Sequence, residues 1–407
     1  MNPLILSHSD SIGGAARAAY RIHSELILNN IESKMMVRVK MLDDDTILGP
    51  TNEFDNRVCQ MRTKFNSVLN KVLPFRTSYQ SFNLLPSNLN GVINSSNYSL
   101  VNFHWVGAET INFEDAIKIN KPIVWTMHDM WPVLNGSHIT SATSYSQWKA
   151  SSSSISNFLN SKKWSFLEKL DHVVTPSFWL ADFISQCPSL SNKPISVIPN
   201  VLDMDVFKPK MKLDARKLLG LNSEKVCLLF SANGGTRDFN KGFDILKDAL
   251  NMVSTTLGRD KFELIIVGQH EPVGFKMPCE TKWFGHVSDD DFLATIYAAV
   301  DYTIIPSRIE NFPQVGTESI CSGTPLIGMP TTGVKELIGD SERGLVANRV
   351  CATSLAEVIK VAIYERNIFS QEVLRKYALD NWSSDIVYTQ YKTCLLSTSC
   401  GAHDLSP

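Results

Sequence analysis

The stretch Pro306-Ser307-Arg308-Ile309-Glu310-Asn311-Phe312-Pro313-Gln314-Val315-Gly316-Thr317-Glu318-Ser319-Ile320-Cys321-Ser322-Gly323-Thr324-Pro325 follows the apolar run from Tyr302 and leads into another at Pro325 to Met329. It reads as a strand that ends at Pro306, a loop carrying Glu310, a short helix opened by Gly316-Thr317 and stopped at Gly323, and a new strand. Strand, crossover helix and strand in so few residues is the repeating unit of a parallel sheet. The loop and helix also carry two carboxylates, Glu310 and Glu318, around a helix N-terminus. Such a terminus suits a diphosphate, and carboxylates accept hydrogen bonds from sugar hydroxyls, so the pattern fits a nucleotide-sugar.

Outward from this segment, short apolar runs alternate with helix-period segments through the whole chain of 407 residues. Strands are expected at Pro3 to His8, Met35 to Val39, Leu100 to His104, Ile123 to His128, His172 to Thr175 and Ile195 to Pro199. A second series is expected at Val226 to Ala232, Phe262 to Gly268, Tyr302 to Pro306, Pro325 to Met329 and Leu345 to Ala347. The class is α/β, with two doubly wound domains. The polar, proline-bearing stretch from Asn200 to Lys212 suits a linker, which places the domains at 1–200 and 201–377. A doubly wound sheet binds ligands beyond the carboxyl ends of its strands, so a shared ligand is expected in a cleft between the two.

The bulk composition narrows the function classes. A chain that is 43% hydrophobic and 20% charged builds packed cores, which excludes disorder as the main theme. A formal charge of -2 exerts no global pull on nucleic acid, and no nucleic-acid partner is expected. The 8 cysteines lack CxxC or zinc-type spacing and read as reduced thiols. The N-terminus lacks a signal-peptide pattern and no apolar run approaches ~20 residues, so a cytoplasmic location is expected. The runs Asp43-Asp44-Asp45 and Asp289-Asp290-Asp291 have no His companions; no metal site is expected, and the second run reads as a helix start. The serine-rich stretch Ser137 to Ser161 reads as a mobile surface loop, with a lid as the sharper alternative.

Three further strand-to-helix turns carry chemistry. Residues Phe230 to Leu246 run from a strand through Asn233-Gly234-Gly235 to Lys241-Gly242, with Arg237 and Lys241 on the loop. Preorganised cations there stabilise the charge that builds on a departing nucleoside diphosphate, although Arg237 also reads as a plain surface charge. The paired glycines Gly13 and Gly14 follow the first strand; they serve either a close approach to phosphate or a tight turn needing positive φ. His128, in Thr126-Met127-His128-Asp129, ends a strand and is preferred over His104 as the site histidine.

The pair Glu310-x7-Glu318 followed by Ser322-Gly323-Thr324-Pro325, with the Lys241-Gly242 step and the His128-Asp129 step, resembles the retaining GT-B glycosyltransferases of family GT4, the group 1 glycosyl transferases. Ile198-Pro199-Asn200 and Phe284-Gly285-His286 resemble the interdomain crossing and the nucleotide-base loop of that family. The resemblance implies that Glu310 lies by the donor sugar without acting as a nucleophile, and that Glu318 holds the ribose. It implies that Lys241 and Arg237 meet the diphosphate, and that Asn311, Phe312, Gly316 and Thr317 line the donor site. Gly13 and Gly14 would approach the diphosphate, and His128 would hydrogen-bond the sugar. It further implies a nucleotide-sugar donor, no cofactor or metal, retention of anomeric configuration, and a C-terminal helix at about 378–396 returning to the first domain. Bacterial surface-polysaccharide assembly on a glycan or lipid-linked acceptor is the implied context. A GT-B sugar-nucleotide epimerase and a catalytically silent partner subunit are the rival readings.

Between Asn56 and Ala108 there is no acidic residue, whereas Arg57, Arg62, Lys64, Lys71 and Arg76 all occur there. Val58, Met61, Phe65, Leu69 and Val72 recur at helical spacing. The 57–76 segment therefore reads either as a basic amphipathic helix resting on an anionic membrane at the inner face, or as a helix packed on the first domain with a solvated basic face. Lys162-Lys163-Trp164 is a smaller candidate of the same kind.

Overall fold

Val226, Leu228 and Phe230 alternate with Cys227 and Leu229 along one strand, and all five are buried. A strand that is apolar on both faces must be covered on both, which is the condition of a central strand in a parallel sheet under helices. Its odd and even residues feed two different cores, Cys227 and Leu229 one, Val226, Leu228 and Phe230 the other. The first strand repeats the device, with Leu4 and Leu6 on one side and Ile5 on the other.

A computed structural model describes residues 1–72, 79–151, 161–232, 234–366 and 368–399. The first sheet contains β1 (Pro3–Ser9), β2 (Lys34–Val39), β3 (Ile47–Leu48), β4 (Leu100–Phe103), β5 (Ile123–Thr126), β6 (His172–Thr175) and β7 (Ile195–Val197), in the order β3-β2-β1-β4-β5-β6-β7. The second contains β8 (Val226–Ser231), β9 (Phe262–Val267), β10 (Glu280–Trp283), β11 (Tyr302–Ile305), β12 (Leu326–Gly328) and β13 (Gly344–Val346), in the order β10-β9-β8-β11-β12-β13. All pairings between these strands are parallel. Each sheet reverses its winding once, between β1 and β4 and between β8 and β11, which is the Rossmann arrangement. The chain divides into two compact units, Met1–Val201 with the residues from Val387 on, and Leu202–Ile386.

Every strand expected from the sequence has a counterpart, and β3 and β10 are additional. Both are edge strands. One has two residues and the other reads Glu-Thr-Lys-Trp, so neither carries the apolar run that marks a central strand.

The single C-terminal helix expected at about 378–396 is two helices, Gln371–Trp382 and Ser384–Ser399, separated by the extended residue Ser383. Trp382 belongs to the core of the second unit, whereas Val387, Tyr388, Tyr391, Cys394 and Leu395 join Ile5, Ala19 and Val124 in the first. The change of core explains the break.

The serine-rich stretch is also corrected where it is described. Tyr145 and Trp148 on the helix Tyr145–Ser151 are buried, as is His138, because aromatic residues interleaved with the serines anchor the segment. Residues 152–160 lie outside the described ones, as does the end of the 57–76 segment beyond Val72. Lys163 is no surface charge: it is 1% exposed, donates to Trp131 O at 2.7 Å and sits over the Trp131 ring. Burial holds its pKa well below the lysine range despite the opposing charge of Asp129.

Candidate active site

The switch point of the second sheet brings together two loops that are far apart in sequence. The loop after β8 and the loop after β11 are joined by backbone and amide bonds: Arg308 N to Asn240 O at 2.8 Å, Asn240 Nδ2 to Ile309 O at 2.7 Å, and Ile309 N to Asn240 Oδ1 at 3.1 Å. Arg308 adds a forked ion pair to Asp244 and lies over the Phe239 ring at 3.7 Å. Held this way, Lys241 Nζ meets Glu310 Oε1, and Ser307 Oγ donates to the same oxygen at 3.2 Å. The side chains are 28% and 15% exposed, so the pair is reachable but shielded. Burial works to lower the Lys241 pKa, but the charge and hydrogen bond of Glu310 outweigh it and hold the ammonium above its ordinary value.

Two glycines make this packing possible. Gly242 has φ 68° and a Cβ there would stand 2.0 Å from Pro306 O, so the helix Phe243–Leu257 can start against the end of β11 only at a glycine. Gly333, in the helix Thr332–Ile338, donates its N–H to Glu310 O at 3.0 Å, and a Cβ there would lie 1.3 Å from Asn311 O. Its neighbour Thr332, a β-branched residue at φ 57°, accepts from Glu310 N at 3.0 Å. The Glu310-Asn311 turn is therefore fixed from both sides, and neither Gly333 nor Thr332 stands out in the sequence.

The helix expected at Gly316-Thr317 begins earlier, spanning Gln314–Cys321 with Pro313 as its cap. Gly316 and Thr317 already donate their N–H groups to Pro313 O at 2.9 and 3.3 Å. A Cβ on Gly316 would meet Leu337 Cδ2 at 2.2 Å, so the structure gives this glycine a packing duty, and Thr317 Oγ1 caps Gln314 O at 3.0 Å. Phe312 turns inward against Trp382, ring centroids 5.9 Å apart. Glu318 is 1% exposed and its Oε2 accepts from the Tyr297 hydroxyl at 3.1 Å, a partner that pattern reading missed. Arg237 is exposed on a turn and forms no ion pair among the described residues. Of the residues expected at the donor site in this unit, the structure brings Lys241, Glu310 and Asn311 to one loop junction; Gly316, Thr317, Phe312 and Glu318 lie beneath it.

The switch point of the first sheet holds the other group. Gly13 (φ 89°) caps the helix Gly14–Leu28, and a Cβ on Gly13 or Gly14 would meet nothing within 4 Å, so a ligand can approach the backbone. At the end of β5, His128 Nε2 lies 2.9 Å from His104 Nδ1, the rings stacked at 5.1 Å. Thr126 Oγ1 donates to Asn102 Oδ1, which turns Asn102 Nδ2 toward His104 Nε2 at 3.2 Å. That assignment makes His104 Nε2 an acceptor, His104 Nδ1–H the donor to His128 Nε2, and His128 the Nδ1–H tautomer. Burial brings the His128 pKa down to about 4 against the pull of Asp129, and puts His104 well below the usual range, helped by His128. His128 is thus a neutral donor, set by the three residues behind it, Thr126, Asn102 and His104.

At the end of β1, His8 Nδ1 lies 2.8 Å from Thr110 Oγ1, whose own hydrogen goes to Gly107 O at 2.6 Å. His8 therefore donates through Nδ1, and its Nε2 carries a lone pair. Burial first, and the Arg38 charge second, lower its pKa to about 4. Nearby, Asp129 Oδ2 accepts from Trp105 Nε1 at 3.2 Å and pairs with His138 Nδ1 at 2.7 Å, while His138 Nε2 reaches Ser81 Oγ at 2.9 Å. The order resembles a hydrolase triad, but Ser81 is 0% exposed and accepts from Ala108 N, so it braces the loop and attacks nothing. Nothing in the local sequence signalled His138 or Ser81.

Two parallel-sheet Rossmann-like units with loops of this chemistry at their switch points are the GT-B architecture, and comparison with known proteins agrees. The family described as glycosyl transferases group 1 matches residues 227–363, and the family described as glycosyltransferase family 4 matches residues 12–206. The chain belongs with these GT4-type glycosyltransferases. A D-inositol 3-phosphate glycosyltransferase from Geodermatophilus obscurus is 24% identical over 206 residues, covering 47% of this chain and 45% of that protein. The chain spans about half the length of the curated relatives it matches. Among solved structures, Anabaena HepE, determined with UDP-glucose, has a TM-score of 0.64 at 15% identity, covering 98% of this chain and 100% of that one. WaaG, a glycosyltransferase involved in lipopolysaccharide biosynthesis, has a TM-score of 0.62 at 16% identity, covering 98% and 100%. No helix among the described residues is long and apolar enough to cross a membrane.

Proposed function

We propose that the chain transfers a sugar, with retention, from a nucleoside diphosphate sugar to a hydroxyl of a glycan or lipid-linked acceptor in bacterial polysaccharide assembly, without a metal, at the cytoplasmic face of the membrane. The observation that carries this reading is the Lys241–Glu310 pair at the switch point, a cation and a carboxylate positioned by two interlocked loops. The bond from the anomeric carbon to the phosphate oxygen breaks with its electron pair going to the phosphate, and Lys241 stabilises that charge. The acceptor oxygen bonds to the anomeric carbon on the same face, and its proton passes to the leaving phosphate oxygen. Glu310 accepts hydrogen bonds from the sugar, His128 donates Nδ1–H to it, Glu318 holds the ribose, and the open backbone at Gly13-Gly14 receives the diphosphate. HepE's UDP-glucose and WaaG's place in lipopolysaccharide synthesis support the donor class and the context.

The test is thermal unfolding of the protein with UDP, ADP, GDP and their glucose conjugates, beside Lys241→Ala, with release of free nucleoside diphosphate measured in the same samples. A ligand at about a hundred times its Kd stabilises by about 2.7 kcal/mol, several degrees in Tm. Stabilisation by one base, lost in Lys241→Ala and accompanied by slow diphosphate release, supports transfer. Binding with epimerised sugar and no release supports the epimerase, and no stabilisation by any nucleotide supports the silent subunit.

A further inference from the structure

Leu4 and Leu6 on β1 belong to one core and Ile5 to the other, so His8 emerges on the Leu6 side of the first sheet. Trp105, two residues beyond Phe103 on β4, emerges on that side too, whereas His128 continues the line of Val124 and emerges on the opposite one. Trp105 stands between two hydrogen-bond acceptors. The His8 ring meets it edge to face at 5.6 Å, and its Nε1 donates to Asp129 Oδ2 at 3.2 Å. His8 Nδ1 is taken by Thr110, but the Nε2 lone pair has no partner among the described residues. Asp129 Oδ2 is filled by Trp105 and His138, while Oδ1 takes Trp131 N at 2.9 Å and keeps one lone pair. His8, Trp105 and Asp129 are all half-buried, so a ligand can reach them. The His8 ring is held by a strained turn: Ala108 and Glu109 are consecutive non-glycine residues in the left-handed region, φ 51° and 64°, fixed by Ser81 Oγ and Asn83 Oδ1 at 3.0 Å each, and they deliver Thr110. Such strain persists where its surroundings over-determine it, and it gathers at ligand sites.

The charges define the ligand by exclusion. Burial works to raise the Asp129 pKa, but His138 outweighs it and holds the group below its ordinary value, so a carboxylate stands there and repels an anion. The Arg38 guanidinium, after burial the second cause of the lowered His8 pKa, repels a cation. Two free lone pairs call for a ligand that donates hydrogen bonds, and the indole between them calls for an apolar face. A sugar ring has both, hydroxyls around its edge and C–H groups on its face. We propose that this edge of the first sheet binds a neutral sugar ring of the acceptor, with His8 Nε2 and Asp129 Oδ1 accepting from its hydroxyls and the Trp105 indole against its face. That the ring belongs to the acceptor rests on the transferase reading, which puts the donor sugar at His128; that a neutral sugar binds here does not. His8 then selects acceptors by where their hydroxyls lie, and Thr110 is the positioning residue that keeps its Nε2 bare.

The experiment follows the His8 ring nitrogens of the full chain by long-range nitrogen–proton NMR. Methyl glycosides of glucose, galactose, mannose and N-acetylglucosamine are added in turn, with and without UDP, ADP and GDP. At least one glycoside is expected to move the bare Nε2 resonance, saturably, at millimolar concentration. His8→Phe keeps a ring but loses both nitrogens, and weakens that glycoside, read from tryptophan fluorescence, about tenfold, the loss of one hydrogen bond. His8→Gln returns an acceptor at the end of the side chain and recovers binding to within about threefold. Thr110→Val leaves the ring in place but frees its tautomer, so Nε2–H appears in part of the molecules and affinity falls in that proportion. The Tm of each variant confirms that it is folded. The proposal is overturned if no glycoside moves Nε2, if inorganic phosphate or ethylammonium binds there in place of the glycosides, or if His8→Phe binds the glycoside as the wild type does. A glycoside that binds while no nucleotide stabilises the protein keeps the sugar subsite and removes the transferase reading, whereas nucleotides that bind while no glycoside does remove the subsite alone.

Discussion

Lys241 and Glu310 are 69 residues apart in sequence and form an ion pair where the second sheet reverses its winding. The pair is partly buried, so removing one partner leaves the other short of both water and a counter-charge. Lys241→Ala and Glu310→Gln are each expected to cost about 1–3 kcal/mol in denaturant unfolding, and the double variant less than the two added, with a coupling of about 1 kcal/mol. Additive costs would mean that the two groups act on the fold separately.

Gly333 and Gly13 separate packing from ligand access. Gly333→Ala places a carbon 1.3 Å from Asn311 O, so the Glu310-Asn311 turn must move. It is expected to lose several kcal/mol of stability, of the order seen for overpacking, together with nucleotide binding. Gly13→Ala has open space but takes on the strain of φ 89° with ψ 166°, a region essentially confined to glycine, at about 1–3 kcal/mol. It is expected to keep the fold and to lower nucleotide affinity measurably in calorimetry. A Gly13→Ala protein with wild-type affinity would remove this loop from the donor site.

The sheets were legible because β1, β8 and their neighbours bury both faces and therefore read as unbroken apolar runs. The positions of Lys241 and Glu310 on the loops after β8 and β11, and of Glu318 on the helix that follows, were legible from the alternation of apolar runs with glycine-bearing turns. What escaped was set by tertiary contact: Gly333 matters only because the Asn311 carbonyl lies against it, and Tyr297 only because its hydroxyl reaches Glu318. The orientation of the Glu53–Val72 helix escaped for a related reason. Hydrophobic periodicity finds an amphipathic helix, but hydrogen bonds from Arg62, Asn66 and Asn70 to distant carbonyls act together with the half-buried Val58, Phe65 and Leu69 in deciding which side faces in.

The tautomer of His128 is open to direct measurement. The chain Thr126–Asn102–His104–His128 requires a neutral Nδ1–H imidazole. Long-range nitrogen–proton NMR correlations should show protonated Nδ1 and bare Nε2 for His128 at pH 7, unchanged down to about pH 5, since its pKa is lowered to about 4. Asn102→Leu removes the donor that fixes His104 and should give mixed tautomers at both rings. An Nε2–H signal for His128 in the wild type would reverse the assignment and rule out the proposed donation from Nδ1–H to the sugar.

Acid stability follows from the same lowered rings. His23 is 0% exposed and bonded to Ser33 Oγ and Thr46 Oγ1 at 2.8 Å each; burial, against the pull of Asp44, brings its pKa down to about 4. His8 and His128 are lowered to about 4 as well. In the unfolded chain these rings titrate near 6.5, so between about pH 6.5 and 4 the unfolded state binds more protons and stability falls as the pH falls. Each ring removes about 1–2 kcal/mol by pH 5, and the loss levels off below pH 4, where both states are protonated. Urea unfolding at stepped pH measures the slope. His23→Gln, which retains a donor and an acceptor, is expected to flatten it by one ring's share, whereas an unchanged slope would show that His23 is already protonated in the folded protein.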